Sequence, residues 1–212
     1  MAELAYRNLT PDLAGRCADL ERRAFPTADP DELLSEADIT AYAETFPEGF
    51  FVCTDGELVV GQGAGILLDF DFDQPQHTIL DITGENQCGN HDPDGHWYYG
   101  TDIAVDPAYR RRGIGRQLYE LRKDLVRRLD KKGIIAGGHP DGYEPHRGEM
   151  SVPEYIDRVA AGEIHDNTLS FQMRQGFEIA DILEGYLADP ATDDYAALIV
   201  WRNETPPRST EY

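Results

Sequence analysis

The residues best suited to chemistry lie in the run YGTDIAVDPAYRRRGIG, from Tyr99 to Gly115. Gly113 and Gly115 remove side chains where a backbone must come close to something. Arg110, Arg111, Arg112 and Arg116 gather positive charge in a chain that otherwise avoids it. The turn sits where a helix should begin, and free N–H groups and the helix dipole favour an anion there. A phosphate-bearing ligand is the economical reading. A plain tight turn with solvated arginines would show the same local pattern. The spacing is neither G-x-x-x-x-G-K-[ST] nor G-x-G-x-x-G, so neither an ATPase loop nor a dinucleotide fold is expected.

These residues need a strand before them and a helix after them. Trp97 to Val105 reads as the strand, ended by Asp106-Pro107. Ile114, Leu118, Leu121, Leu125 and Leu129 make one apolar stripe, so a helix is predicted from about Gly113 to Lys132, with Gly133 as its stop. Upstream, the first 45 residues look helical. Thr10-Pro11-Asp12 and Asp29-Pro30-Asp31-Glu32 are the start signals. A strand at 50–53, an Asp55-Gly56 turn and a strand at 58–68 follow. Residues 69–96 read as a long loop, and a loop of that length is usually functional or mobile. Downstream come a short strand at 134–138 and a second loop at 139–150. Helices near 153–161 and 166–175 and strands near 177–184 and 195–201 complete the series. This order implies a mixed α/β layout around one sheet, with residues 1–202 as one domain and 203–212 as a polar, fraying tail.

Composition narrows the partners. The chain has 40 acidic residues against 19 basic, a formal net charge of −21. Nucleic acid is a poor partner for such a surface, since phosphate contacts require positive charge. Only three of the basic residues are lysines, and Asp-rich, Lys-poor chains resemble those of salt-loving organisms; a cationic amine substrate would suit the same charge. No apolar run approaches the ~18 residues of a membrane span, and the N-terminus lacks the layout of a secretory signal. A cytoplasmic protein with no membrane partner is expected. Cys17, Cys53 and Cys88 are odd in number and widely spaced, so neither a disulfide framework nor a metal site is expected.

The arginine–glycine turn resembles the pyrophosphate-binding motif of the GNAT superfamily of N-acetyltransferases, [QR]-x-x-G-x-[GA]. Arg110, Gly113 and Gly115 fill its fixed positions, and Ile103-Ala104-Val105 with Asp106-Pro107 matches the strand end before it. The Gly176-Phe177 pair looks like the family's helix–strand junction. The stretch from Trp97 to Trp201 further resembles the acetyltransferase module that some bacteria join to a carbon–nitrogen hydrolase domain. The resemblance implies a GNAT fold: a mixed, mostly antiparallel, twisted sheet with one splayed strand pair, flanked by helices. It implies acetyl-CoA as cosubstrate, no metal, and an amine acceptor. The backbone of Ile103, Ala104 and Val105 should pair with the pantetheine arm. N–H groups from Arg111, Arg112, Gly113, Ile114, Gly115 and Arg116 should hold the pyrophosphate. Dimers are frequent among similar proteins, so a homodimer is a further expectation.

The catalytic positions depart from the pattern. Many members carry a tyrosine four residues before the Gly-Phe pair, where it can protonate the leaving thiolate; here Gln172 stands there. The position where many carry asparagine is His165, with Asn167 two residues on; either could touch the cofactor, or cap a helix in the turn. Some members place glutamate on the strand at the position of Tyr99, and a tyrosine titrating near 10 suits an acid better than a base. Strand alternation sends Asp102 to the face opposite Tyr99. His139 and His146 lie in the loop beside the expected acyl cleft, and histidine has the right ordinary pKa for proton transfer. Tyr99 and His139 are therefore the catalytic candidates, and Tyr143 and His146 the substrate-loop candidates. Trp97 and Tyr98 could wall the pocket, or simply pack in the core. Two functions share the cofactor motif: an amine acetyltransferase, and a non-catalytic acetyl-CoA-binding module, which loss of the tyrosine at Gln172 would favour.

Overall fold

The computed structural model describes residues 4–26, 28 and 33–204. Seven strands form one sheet: β1 (Leu4–Asn8), β2 (Phe51–Asp55), β3 (Leu58–Leu68), β4 (Trp97–Val105), β5 (Gly133–Gly138), β6 (Glu178–Leu183) and β7 (Ala196–Arg202). Their order is β1-β2-β3-β4-β5-β7-β6. Every neighbouring pair is antiparallel except β4 with β5. The helices are α1 (Ala14–Ala24), α2 (Glu36–Thr45), α3 (Ile79–Thr83), α4 (Ile114–Arg128), α5 (Val152–Ala160) and α6 (Leu169–Arg174).

Helices cover both faces, and each face has its own core. On one, Leu13 just before α1, Cys17 and Leu20 of α1, and Ile39 and Tyr42 of α2 pack against Val59, Ile66, Trp97 and Tyr99. On the other, the stripe of α4 and the apolar sides of α5 and α6 pack against Tyr98, Ile134, Ala136, Ala197 and Ile199. The alternation of β5 and β7 between two apolar faces is what a strand buried on both sides requires. Trp97 and Tyr98 both belong to these cores, and the Tyr98 hydroxyl donates to the Gly49 carbonyl at 2.7 Å.

Four expectations change. Leu4 to Asn8 is an edge strand rather than helix, held by β2 through Leu4↔Asp55 to Asn8↔Phe51. The second helix starts at a capping box of Ser35 and Asp38, while the signal expected at residues 29–32 lies outside the described residues. The loop at 69–96 contains α3, which is capped by Thr78. Helix α4 stops at Arg128 because Asp130 takes the left-handed conformation that ends a helix (φ 53°), so Gly133 is free to open β5. Of the expected tail, Asn203 is tied to the Lys132 carbonyl at 2.8 Å, and residues 205–212 lie outside the described residues. The three cysteines are buried and unpaired, and burial pushes the thiols of Cys17 and Cys88 up to about 12. Among the described residues no helix is long and apolar enough to cross a membrane.

Candidate active site

The site begins where the two parallel strands part. β4 and β5 pair only from Trp97↔Gly133 to Gly100↔Ala136. Beyond that, β4 stays paired to β3 through Asp102↔Ala64 to Val105↔Gly61, and β5 stays paired to β7 through Gly137↔Leu198 and Gly138↔Ala197. Each strand therefore turns one unpaired backbone edge toward the other. An extended ligand arm can use such edges as a strand would.

The turn before α4 closes the open end. Asp106 caps it by accepting from the Ala108 N–H at 2.9 Å, and Arg23 of α1 grips the same carboxylate at 2.8 Å. Arg110 bonds the carbonyls of Val105 and Ala24. Arg112 lies over the Tyr109 ring, 4.4 Å from its centroid. Gly113 is the N-cap at φ 84°, and no side chain caps α4. Its first N–H groups are thus left for a ligand. Among the described residues none of Arg110, Arg111, Arg112 and Arg116 forms an ion pair. In so acidic a chain, a cluster of arginines without ion pairs is a place where an anion would be attracted.

On the α1–α2 face, β4 carries a bulge. Gly100 opposes Gly65 and Asp102 opposes Ala64, leaving Thr101 as the extra residue. The extra residue resets the alternation, so Asp102 lies on the same face as Tyr99, contrary to the simple strand reading. Tyr99 is fully buried, its hydroxyl 2.6 Å from His77 Nε2 and 3.1 Å from the Tyr186 hydroxyl. His77 Nδ1 lies 2.6 Å from the Pro75 carbonyl and must donate there. Burial lowers the His77 pKa, so the ring is neutral and Nε2 accepts the Tyr99 proton. Burial raises the Tyr99 pKa well above 10. Past the bulge, Gln62 Nε2 donates to Glu21 Oε1 at 2.5 Å and to Asp102 Oδ2 at 3.0 Å. Tyr42 donates to Thr101 Oγ1 at 2.8 Å.

His139, just past β5, sits between two carboxylates: Nδ1 is 2.7 Å from Asp141 Oδ1 and Nε2 is 2.5 Å from Asp189 Oδ2. Burial opposes its charge, but the hydrogen bonds and charges of Asp141 and Asp189 prevail and raise its pKa to about 9. At neutral pH the ring is an imidazolium with both nitrogens occupied, a clamp between loops rather than a proton acceptor. Tyr143 is buried and its hydroxyl donates to the Met150 carbonyl at 3.1 Å. His146 leans on the Tyr155 ring and lies 3.8 Å from Glu149. Asn167 is exposed beside the buried Asp166, whose Oδ1 accepts from the Thr168 and Leu169 N–H groups. Tyr99 and His139 share no hydrogen bond; each belongs to its own cluster.

The profile of the Acetyltransferase (GNAT) family matches residues 15–142. The chain belongs to the GNAT family. It is 33% identical over 205 residues to the uncharacterized N-acetyltransferase YkwB of Bacillus subtilis (strain 168), covering 94% of this chain and 89% of that one. It is 37% identical over 202 residues to the probable hydrolase YhcX of the same organism, covering 95% of this chain but 39% of YhcX. The chain thus spans well under half the length of YhcX. Among solved structures, the GphF GNAT-like decarboxylase in complex with isobutyryl-CoA has a TM-score of 0.78 at 22% identity, covering 93% and 98% of the two chains. The loading GNATL domain of CurA from Lyngbya majuscula has a TM-score of 0.80 at 17% identity, covering 94% and 98%. At those identities the likeness establishes the fold.

As a GNAT member the chain is an acyltransferase, and its α4–α6 face shows what stands in for the absent tyrosine. Gln172 is buried, and its Nε2 donates to the Tyr119 hydroxyl at 3.0 Å. Its Oε1 has no partner. A Cβ on Gly138 would lie 2.7 Å from that oxygen, which places Gln172 over the end of β5. Arg122 is buried beside this pair, with Nη2 donating to the Ala64 carbonyl at 2.8 Å and also to the Asp102 carbonyl. Sequence reasoning missed His77, Tyr186, Asp189 and the Glu21–Gln62 pair. They lie far apart in the chain and only folding gathers them. The one available signal was an isolated glutamine in the apolar strand β3.

Proposed function

We propose that this chain transfers the acetyl group of acetyl-CoA to a primary amine by direct attack of the neutral amine on the thioester. Residues 1–202 act as one catalytic unit. The observation that carries the reading is the splay between β4 and β5, closed at its open end by an uncapped helix and by arginines without ion pairs. The N–H groups from Arg111 to Arg116 would hold the pyrophosphate. Ile103, Ala104 and Val105 would hold the pantetheine arm along the free edge of β4, with Asn167 as a further cofactor contact. Bound acetyl-CoA supplies an acyl carbon activated by a thiol leaving group. Much of the protein's task is then to position the amine and exclude water. Asp102, partly exposed where β4 has left β5, puts a carboxyl group at the splay, which suits an ammonium-bearing acceptor.

The second reading, a non-catalytic acetyl-CoA-binding module, is favoured by Gln172 where a proton donor would be expected. Release of free CoA thiol separates the two. Mixed with acetyl-CoA and a panel of alkylamines, polyamines and lysine peptides, the protein is expected to release thiol faster than buffer with at least one amine. Tight acetyl-CoA binding with no release for any amine overturns the transferase reading.

A further inference from the structure

The α1–α2 face of β4 holds a carboxylate pair that the cofactor motif does not account for. Glu21 and Asp102 share the amide nitrogen of Gln62, at 2.5 Å and 3.0 Å. Glu21 is 3% exposed and Gln62 is fully buried. Asp102 is partly exposed, at the point where β4 has left β5. The oxygen of the Gln62 amide, buried with its nitrogen in this cluster, has no partner. A buried amide with one end spent on two carboxylates and the other empty is costly for folding alone. Such a cost is found where a site awaits a substrate.

We propose that Asp102 is the catalytic base that takes the proton from the acceptor ammonium, with Glu21 and Gln62 as its positioning residues. The inference rests on the amine-acetylation reading above. The titratable and charged groups that act on the pair are Cys17 on α1, Tyr42 on α2, Tyr98 on β4, and Tyr119 and Arg122 on α4, the last reached through the Asp102 carbonyl. Burial, then the Asp102 charge, push Glu21 far above the carboxylate range. Burial raises Asp102 too, against the pull of Gln62 and Arg122. Two such carboxyls titrate as one unit, and the dianion is a stronger base than either alone. It takes one proton from R–NH₃⁺, leaving R–NH₂ and a pair sharing that proton. The C–N bond forms as the C–S bond breaks. The sulfur leaves with the bonding electrons and takes the second nitrogen proton, and the pair returns its proton to water.

The test is the pH dependence of kcat/KM for wild type, Asp102→Asn and Glu21→Gln, using whichever amine of the panel wild type acetylates. Wild type should show an acidic limb above the ordinary carboxylate range. Asp102→Asn should lower kcat by about 10²–10⁴-fold and flatten that limb, with acetyl-CoA affinity unchanged. Glu21→Gln should move the limb to lower pH, because Asp102 then titrates without a neighbouring carboxylate. A merely structural pair would change kcat without moving the limb. Infrared titration of the protonated-carboxyl band checks the pair without any acceptor, and the band should lose its high-pH component in both variants. If Asp102→Asn fails to bind acetyl-CoA, it has misfolded and Glu21→Gln decides alone. Retention of both kcat and the limb in Asp102→Asn overturns the inference and leaves the transferase reading intact. Absence of turnover in wild type overturns that reading itself.

Discussion

The two halves of this site are built by different means. The proposed cofactor half is one continuous stretch, β4 to the start of α4, made of backbone edges and N–H groups with arginines that form no ion pair among the described residues. The proposed acceptor half is assembled from side chains of Glu21, Tyr42, Gln62, His77, Asp102 and Tyr186, carried by separate elements. Gln62 ties Glu21 to Asp102, while Tyr42 bonds Thr101 and both His77 and Tyr186 bond Tyr99. A half made of backbone can be recognised by spacing and is broken by bulk. A half made of side chains is set by packing and is tuned by protonation.

The largest effect should come from Gly113. It sits at φ 84°, and a Cβ there would meet only the Arg116 Nη2 atom at 4.0 Å. Gly113→Trp therefore finds open space within the protein, apart from backbone strain of about 1–3 kcal/mol. Gly113→Ala carries the same strain without the bulk. The tryptophan should weaken acetyl-CoA binding by at least about 100-fold, or about 2.7 kcal/mol, and the alanine far less, with similar melting temperatures. Calorimetry checks this, and equal affinities for the two variants would remove the cradle from the turn.

The same contrast explains what could be foreseen. The arginine–glycine turn, the strand before it and the stripe of α4 were legible because each is local in sequence. Leu58 to Leu68 was legible for the same reason. The edge strand β1 was not, because Leu4 to Asn8 is held by its pairing with β2 and its own alternation is short. Asp102 was placed on the wrong face because one bulge residue, Thr101, resets a period of two. His139 looked like a base because its ordinary pKa suits proton transfer. Asp141 is only two residues away, but Asp189 is brought by the loop between β6 and β7, and no local pattern announces it.

Salt should move the two halves in opposite directions. A net charge of −21 repels itself at low ionic strength. Raising KCl from about 0.1 M to about 1 M shortens the screening length from roughly 10 Å to roughly 3 Å. Melting temperature should rise over that range by several degrees. Acetyl-CoA affinity should fall meanwhile, because the same ions screen the arginines around Gly113. Differential scanning fluorimetry and calorimetry on one set of samples measure both. A melting temperature that stays flat would show that the acidic surface is already accommodated without salt.

The smallest effect should come from the clamp at His139, and its sign follows from its partners. The folded pKa of about 9 lies above the ordinary 6.5, so its contribution to stability is complete below pH 6.5 and is lost as pH rises through about 9. Asp189 is held low first by its hydrogen bond to His139. Asp141 is lowered as well, with the same imidazolium overcoming burial, so their contribution fades only as pH falls below the ordinary carboxylate value. His139→Gln keeps two hydrogen-bonding ends but cannot carry the charge. Its melting temperature should fall below that of wild type at pH 6, and the gap should close between pH 7 and about 9. The histidine is partly exposed, so solvent screens the pair and a few degrees is the scale to look for. If His139 were instead the free base that its position first suggested, its pKa would lie near or below 6.5 and the gap would not track this window. Turnover would then collapse in His139→Gln at every pH, whereas a clamp predicts activity that survives wherever the fold does.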